Sequence, residues 1–140
     1  MTPRLEVTDT LDAGAEEKIL AELKAHNDVL FGAPSDRRGL YVPIRDEAGA
    51  VIGGLTGYTG RGFLHVEMLF IPEEMRGKRL AGRLLEIAET EAKARGCVGA
   101  YIDTANPDAR RAYQRQGYEI IGTLADYPPG FSITWMAKRF

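Results

Sequence analysis

The stretch Ile71 to Glu89, IPEEMRGKRLAGRLLEIAE, constrains the fold more than any other. A strand-like apolar run ends at Pro72, and a leucine-spaced helix is under way by Leu80, with Leu80, Leu84, Ala88 and Ala92 on one face. Between them Met75-Arg76-Gly77-Lys78-Arg79 contains no Ser, Thr, Asp or Asn, the side chains that ordinarily cap a helix start. The first four N–H groups of a helix lack intrahelical acceptors, and the helix dipole places about half a positive charge there. An anion can supply the missing cap. Gly77 permits a tight turn, Ala81 and Gly82 keep the first helical turn small, and Arg76, Lys78, Arg79 and Arg83 add formal charge. A diphosphate would satisfy several of these donors together. A solvated basic helix start, with its donors bonded to water, accounts for the same residues. Neither G-x-x-x-x-G-K-[ST] nor G-x-G-x-x-G occurs, so two familiar nucleotide loops are excluded.

The remaining punctuation predicts the order β-α-β-β-β-α-β-α-β-β. Arg4 to Thr8 alternates like a short strand. Residues 12 to 30 have helical spacing at Ile19, Leu20, Leu23 and Leu30, with Asp12 as a possible cap. Leu40 to Arg45, Ala50 to Tyr58 and Phe63 to Ile71 read as a meander of strands. The helix over 78–95 ends at Gly96, and residues 97 to 103 form a buried-looking strand. A third helix over 106–116 has Asn106 at its cap and Pro107 at its first position, and Gly117 ends it. Two strands, 118–124 and 131–139, complete an α+β chain read as one domain, 1–140.

Several classes are excluded by content. A formal charge of −2 over 140 residues offers no general attraction to nucleic acid or to an anionic membrane. Lone Cys97 rules out an internal disulfide, and with only His26 and His65 beside it no Cys/His metal site is expected. Cys97 reads as a small buried residue rather than a nucleophile. No apolar leader or membrane-length run occurs, so a cytoplasmic location is the expectation.

A second motif shifts the balance at Arg76–Gly82. In NPDARRAYQRQGYE, Asn106 and Tyr113 lie two helical turns apart on roughly one side. Together the segments resemble the GNAT N-acetyltransferase superfamily. Its central signature, Arg/Gln-x-x-Gly-x-Gly/Ala, maps onto Arg76, Arg79 and Ala81. Its later signature is matched at Asn106, Ala109, Tyr113, Gly117 and Tyr118. The resemblance implies a mostly antiparallel twisted sheet flanked by helices, with a V-shaped splay between the fourth and fifth predicted strands. It also implies acetyl-CoA as cosubstrate, bound along Leu69, Phe70, Ile71, Arg76, Gly77, Lys78, Arg79, Leu80, Ala81, Gly82, Arg83, Asn106, Ala109 and Tyr113. The family usually has glycine where this chain has Arg79; a helical Arg there can turn its Cβ away from the pyrophosphate.

Acetyl transfer to an amine needs a base, an oxyanion donor and a proton for the departing thiolate. Glu67, read as alternating onto the same side as Leu69, resembles the family's general base, and His65 is the alternative. The resemblance gives the backbone N–H of Leu69, beside a strand bulge, to the acetyl carbonyl. Tyr113 fits the general acid, since a phenol near pKa 10 can donate toward a thiolate near 8.5. The resemblance also implies that the acceptor, a small-molecule or peptide amine, lies opposite the coenzyme between the first helix region and the last strands, with Leu30, Phe31, Tyr127 and Trp135 as walls and Asp126 to attract a cationic amine. Little room remains between the first helix and the second predicted strand for the usual second helix, which predicts an open acceptor cleft. Pairing of final strands into a homodimer is an expectation from such folds. A non-catalytic acyl-CoA-binding module on the same fold is the alternative reading.

Overall fold

A computed structural model describes residues 1–140 in two compact units, Met1–Ser35 and Asp36–Phe140. The first holds helix α1, Ala15–Phe31. It starts after Gly14 in the left-handed region, and Ala15 N–H donates to the Asp12 backbone carbonyl at 3.1 Å. The expected Asp12 side-chain cap therefore does not form. Nor does the expected strand at Arg4–Thr8: residues 1 to 14 hold no strand. Alternation favours an extended chain, but a strand needs a ladder partner. Residues 32–37 are not helical, as the short connection predicts.

The second unit is a six-stranded sheet with two α-helices. The strands are β1 Arg38–Arg45, β2 Val51–Gly60, β3 Phe63–Phe70, β4 Gly99–Thr104, β5 Glu119–Ala125 and β6 Ser132–Arg139. Their order is β1-β2-β3-β4-β6-β5, antiparallel throughout except for the parallel β3–β4 pair. The connection between those two is helix α2, Leu80–Ala94. Helix α3, Pro107–Arg115, follows β4.

Leu84, Leu85, Ala88 and Ala92 of α2 are buried against Leu40, Leu55, Leu64 and Val66 of the sheet. Ala100, Ile102 and Met136 extend the same core to Tyr113 and Tyr118. Both helices end alike. Gly96 and Gly117 adopt φ of 89° and 100°, which favours glycine. Gly96 and Cys97 return their N–H groups to Lys93 and Ala92; Gly117 and Tyr118 do so to Gln114 and Tyr113. These stops set where β4 and β5 begin.

Two irregularities shape the site. β3 and β4 pair only from Phe63–Gly99 to Val66–Ile102 and then part. This is the splay, between the fourth and fifth predicted strands. Just beyond Val66, β3 bulges: Gly57 pairs Val66, Thr56 pairs Met68, and Glu67 is the extra residue. A bulge breaks the period of two. Leu69 lies opposite buried Leu55 and packs against the core, whereas exposed Glu67 and Met68 share the Thr56 position. Glu67 and Leu69 thus do not share a side, contrary to simple alternation.

Candidate active site

Where β3 leaves β4, a cleft of about 820 Å³ opens between the end of β3, the start of α2 and one face of α3. Its floor includes Leu69, Phe70 and Ile71. Arg76, Gly77 and Arg79 to Arg83 form one wall, and Asn106, Ala109 and Tyr113 form the other. Of the coenzyme-binding residues expected from sequence, only Lys78 does not line it.

The α2 start is uncapped by any side chain. After the 3-10 turn Glu73–Met75, Gly77 takes φ 78° and Arg79 takes φ 57°, ψ 27°. Arg79 is therefore not helical, as the sequence suggests, but sits in the left-handed region just outside α2. That conformation is strained for a residue with a Cβ, by about 1–2 kcal/mol, and explains why glycine suits the position. Arg79→Gly is expected to raise stability by about 0.5–1 kcal/mol after the entropy glycine gains in the unfolded chain. Urea unfolding checks this, and an unchanged or lower midpoint would contradict it.

Arg76 turns back to β3, donating from Nε to the Ile71 carbonyl at 2.9 Å, with its guanidinium 5.7 Å from the Phe70 ring centre. It thereby ties the turn to the strand end. Arg79, Arg83 and Arg115 also line the cleft, against Glu86 and Asp108. Asp108 is paired to Arg111. The balance is cationic beside free helix donors, which suits a phosphorylated ligand.

Across the cleft, Asn106 caps α3 by accepting from Asp108 N–H at 2.8 Å and Ala109 N–H at 3.5 Å. Two turns on, Tyr113 is only 4% exposed, with its ring in the core. Burial, then the nearby Asp103 charge, pushes its phenol up to about 12. Sequence reasoning took an ordinary phenol; tertiary burial makes it a weaker acid.

The opposite face of the sheet carries Tyr58, His65 and Tyr101. His65 stacks on Tyr101 with ring centres 4.4 Å apart and 10° between planes. Its Nδ1 lies 3.1 Å from the Tyr58 hydroxyl. Burial, the Tyr58 hydrogen bond and more distant charges including Glu67 raise Tyr101 to about 12. Glu67 and His65 therefore belong to this face and not to the 820 Å³ cleft. Asp126 and Tyr127 are exposed in the β5–β6 turn, and Trp135 is 39% exposed on β6. Leu30 and Phe31 are exposed on the last turn of α1. Cys97 is half-buried and its thiol pushed up by burial, the reverse of nucleophile activation.

Sequence reasoning missed Met75, Glu86, Asp108, Ala112, Arg115 and Gln116 in the cleft. Ala112 and Gln116 lie three and seven residues beyond Ala109, so helical spacing could have added them. Tyr58, Tyr101 and Asp103 carry no such signal, because only strand pairing brings them to β3.

A splayed mixed sheet with a bare cationic helix start at the splay defines an acyltransferase class of fold. The sequence pattern of the Acetyltransferase (GNAT) family matches residues 8–118, and the chain belongs to that family. It is an acyltransferase enzyme. An acetyltransferase of Agrobacterium fabrum is 52% identical over 134 residues, covering 96% of this chain and 97% of the relative. Blasticidin-S acetyltransferase of Streptomyces morookaense is 39% identical over 96 residues, 66% of this chain and 69% of the relative. A crystal structure of an Agrobacterium tumefaciens protein described as an acetyltransferase superposes with a TM-score of 0.93 at 50% identity, covering 99% of this chain and 100% of that one. No helix is long and apolar enough to cross a membrane.

Proposed function

We propose that this enzyme transfers an acetyl group from acetyl-CoA directly to a primary amine. The observation that carries the reading is the cleft, in which the uncapped α2 start faces Asn106 and Tyr113. The pyrophosphate takes the α2 amides and the arginines, the pantetheine arm follows the β3 end toward Asn106, and the thioester reaches the splay. From Glu67 onward β3 has no β4 partner, so its edge there faces the gap. The Leu69 N–H is the donor we assign to the carbonyl oxygen.

The amine gives up its proton to Glu67, directly or through water, and its lone pair attacks the thioester carbon. The tetrahedral oxyanion collapses, the C–S bond breaks, and the sulfur leaves as thiolate. A phenol near 12 is about 3.5 pH units weaker than a thiol near 8.5. Full transfer from Tyr113 would then be uphill by on the order of 5 kcal/mol. A strong hydrogen bond to the departing sulfur is the role that fits. Base, oxyanion donor and thiolate donor come from β3 on one side of the splay and α3 on the other.

A named relative acts on blasticidin S, so small-molecule amines belong in the acceptor panel beside peptides. Calorimetry with acetyl-CoA should show one site per chain, and free thiol should appear only when an acceptor amine is added. Absence of both heat and thiol release would end this reading.

A further inference from the structure

We propose that Asp103 is a specificity-determining residue whose carboxylate holds a second positive charge on the acceptor, so that diamines are preferred to monoamines. This rests on the acetyl-transfer reading above and deepens its acceptor side.

Position is the first argument. The last paired residues at the splay are Val66 and Ile102, and the next residue on each strand is an acid, Glu67 and Asp103. One carboxylate therefore stands on each lip of the gap. Ala100 and Ile102 point into the core, so Tyr101 and Asp103 take the other face. That is the face of the His65–Tyr101 stack. On its second neighbour, Asp103 lies opposite Trp135 of β6. Asp103 does not line the cleft itself, but it is close enough to Tyr113 for its charge to help hold that phenol up, so the splay lip and the cleft adjoin.

Charge is the second argument. Neither Glu67 nor Asp103 belongs to the ion pairs Arg95–Glu91, Arg111–Asp108 and Lys138–Glu89. Two cations border this aromatic face: Arg37 lies over the Tyr58 ring and its charge reaches Tyr101, and Arg139 lies over Phe63, at the first residue of β3. Two acids at one gap favour a cation between or beside them.

Chemistry is the third. A monoamine held by its ammonium loses that charge when it gives up the proton needed for attack. Its attraction to the site then vanishes as reaction begins. A diamine keeps one ammonium on Asp103 while the other amine is deprotonated by Glu67. The hydrocarbon spacer and the retained cation meet the rings of Tyr101 and Trp135. Two acids thus serve two separate amines.

The test compares 1,4-diaminobutane with n-butylamine, acceptors of nearly equal reach. The wild type should show a higher kcat/KM for the diamine, by about tenfold or more, as expected for one charge contact. Asp103→Asn should reduce that ratio about tenfold, and Asp103→Glu should restore part of it. Acetyl-CoA affinity by calorimetry and the melting temperature report that coenzyme seat and fold are intact in both variants. An unchanged ratio in Asp103→Asn overturns the proposal while leaving acetyl transfer standing. An equal loss for both amines with a displaced pH profile also overturns it, because Asp103 would then act through Tyr113. If the wild type acetylates no amine although it binds acetyl-CoA, the functional reading fails and this inference falls with it.

Discussion

Replacing Tyr113 with Phe lowers kcat on the order of a hundredfold while acetyl-CoA affinity and the melting temperature stay near wild type. The substitution removes one hydroxyl and keeps the ring. That ring is 4% exposed and part of the core beside Tyr118, whose centre is 6.5 Å away. The hydroxyl makes no hydrogen bond inside the protein, so its loss leaves no buried donor or acceptor unmatched. Its partner on the proposed path exists only once the C–S bond is breaking, so the interaction is made in the transition state and not in the resting complex. A hydrogen bond to a charged group is worth about 1.5–3 kcal/mol, hence the size of the effect. With the phenol raised to about 12, its proton is present throughout the neutral and alkaline range and is lost only as pH passes that value. A descending limb of the kcat profile below about pH 11 therefore does not come from Tyr113 and should persist in the Phe variant. Steady-state kinetics with a saturating amine decides this. Unchanged kcat would remove Tyr113 from the mechanism, and a rise in the acetyl-CoA KM alone would make it a binding residue.

Local chemistry carries far. Gly96 and Gly117 mark their helix ends because a positive φ there favours glycine, and Asn106 with Pro107 marks a helix start. The coenzyme cleft is legible for the same reason: it is built from two short segments, each a turn running into a helix. What local chemistry misses is pairing. Arg4–Thr8 alternates yet has no ladder. The bulge at Glu67 depends on how many residues of β3 oppose each residue of β2, which no single strand records. That bulge separates the faces of Glu67 and Leu69. Arg79 looks helical from its neighbours, but the turn leaving β3 forces it left-handed. The Tyr113 shift and the company of Asp103 with Trp135 arise from burial and register, both properties of the assembled sheet.

Removing the Glu89 carboxylate is expected to cost about 3 kcal/mol of stability for Glu89→Ala, a loss on the scale of truncating a large core side chain. Glu89 is 3% exposed on the inner face of α2. Its Oε2 accepts from the Tyr118 hydroxyl at 2.8 Å, and its Oε1 accepts from Lys138 Nζ at 2.7 Å. The same ammonium donates to the Gln116 carbonyl at 2.9 Å. Glu89 thus joins α2, the turn closing α3 and strand β6, three elements far apart in sequence. Breaking a buried pair on one side leaves its partner charge unmatched, at about 3–5 kcal/mol. The Lys138 side chain is 23% exposed and can reach water in part, which favours the lower end. Such a loss is a large share of the roughly 5–15 kcal/mol that holds a domain folded. Glu89→Gln should lose less, since it keeps an acceptor for one donor while forfeiting the charge. A triple variant combining Glu89→Leu, Tyr118→Phe and Lys138→Met removes every polar side chain of the network. It should recover most of the stability, because an apolar replacement leaves no charge unpaired. Urea unfolding of the single and triple variants separates the cases. If the triple variant were as unstable as Glu89→Ala, packing around the helix, and not an orphaned charge, would be the cause.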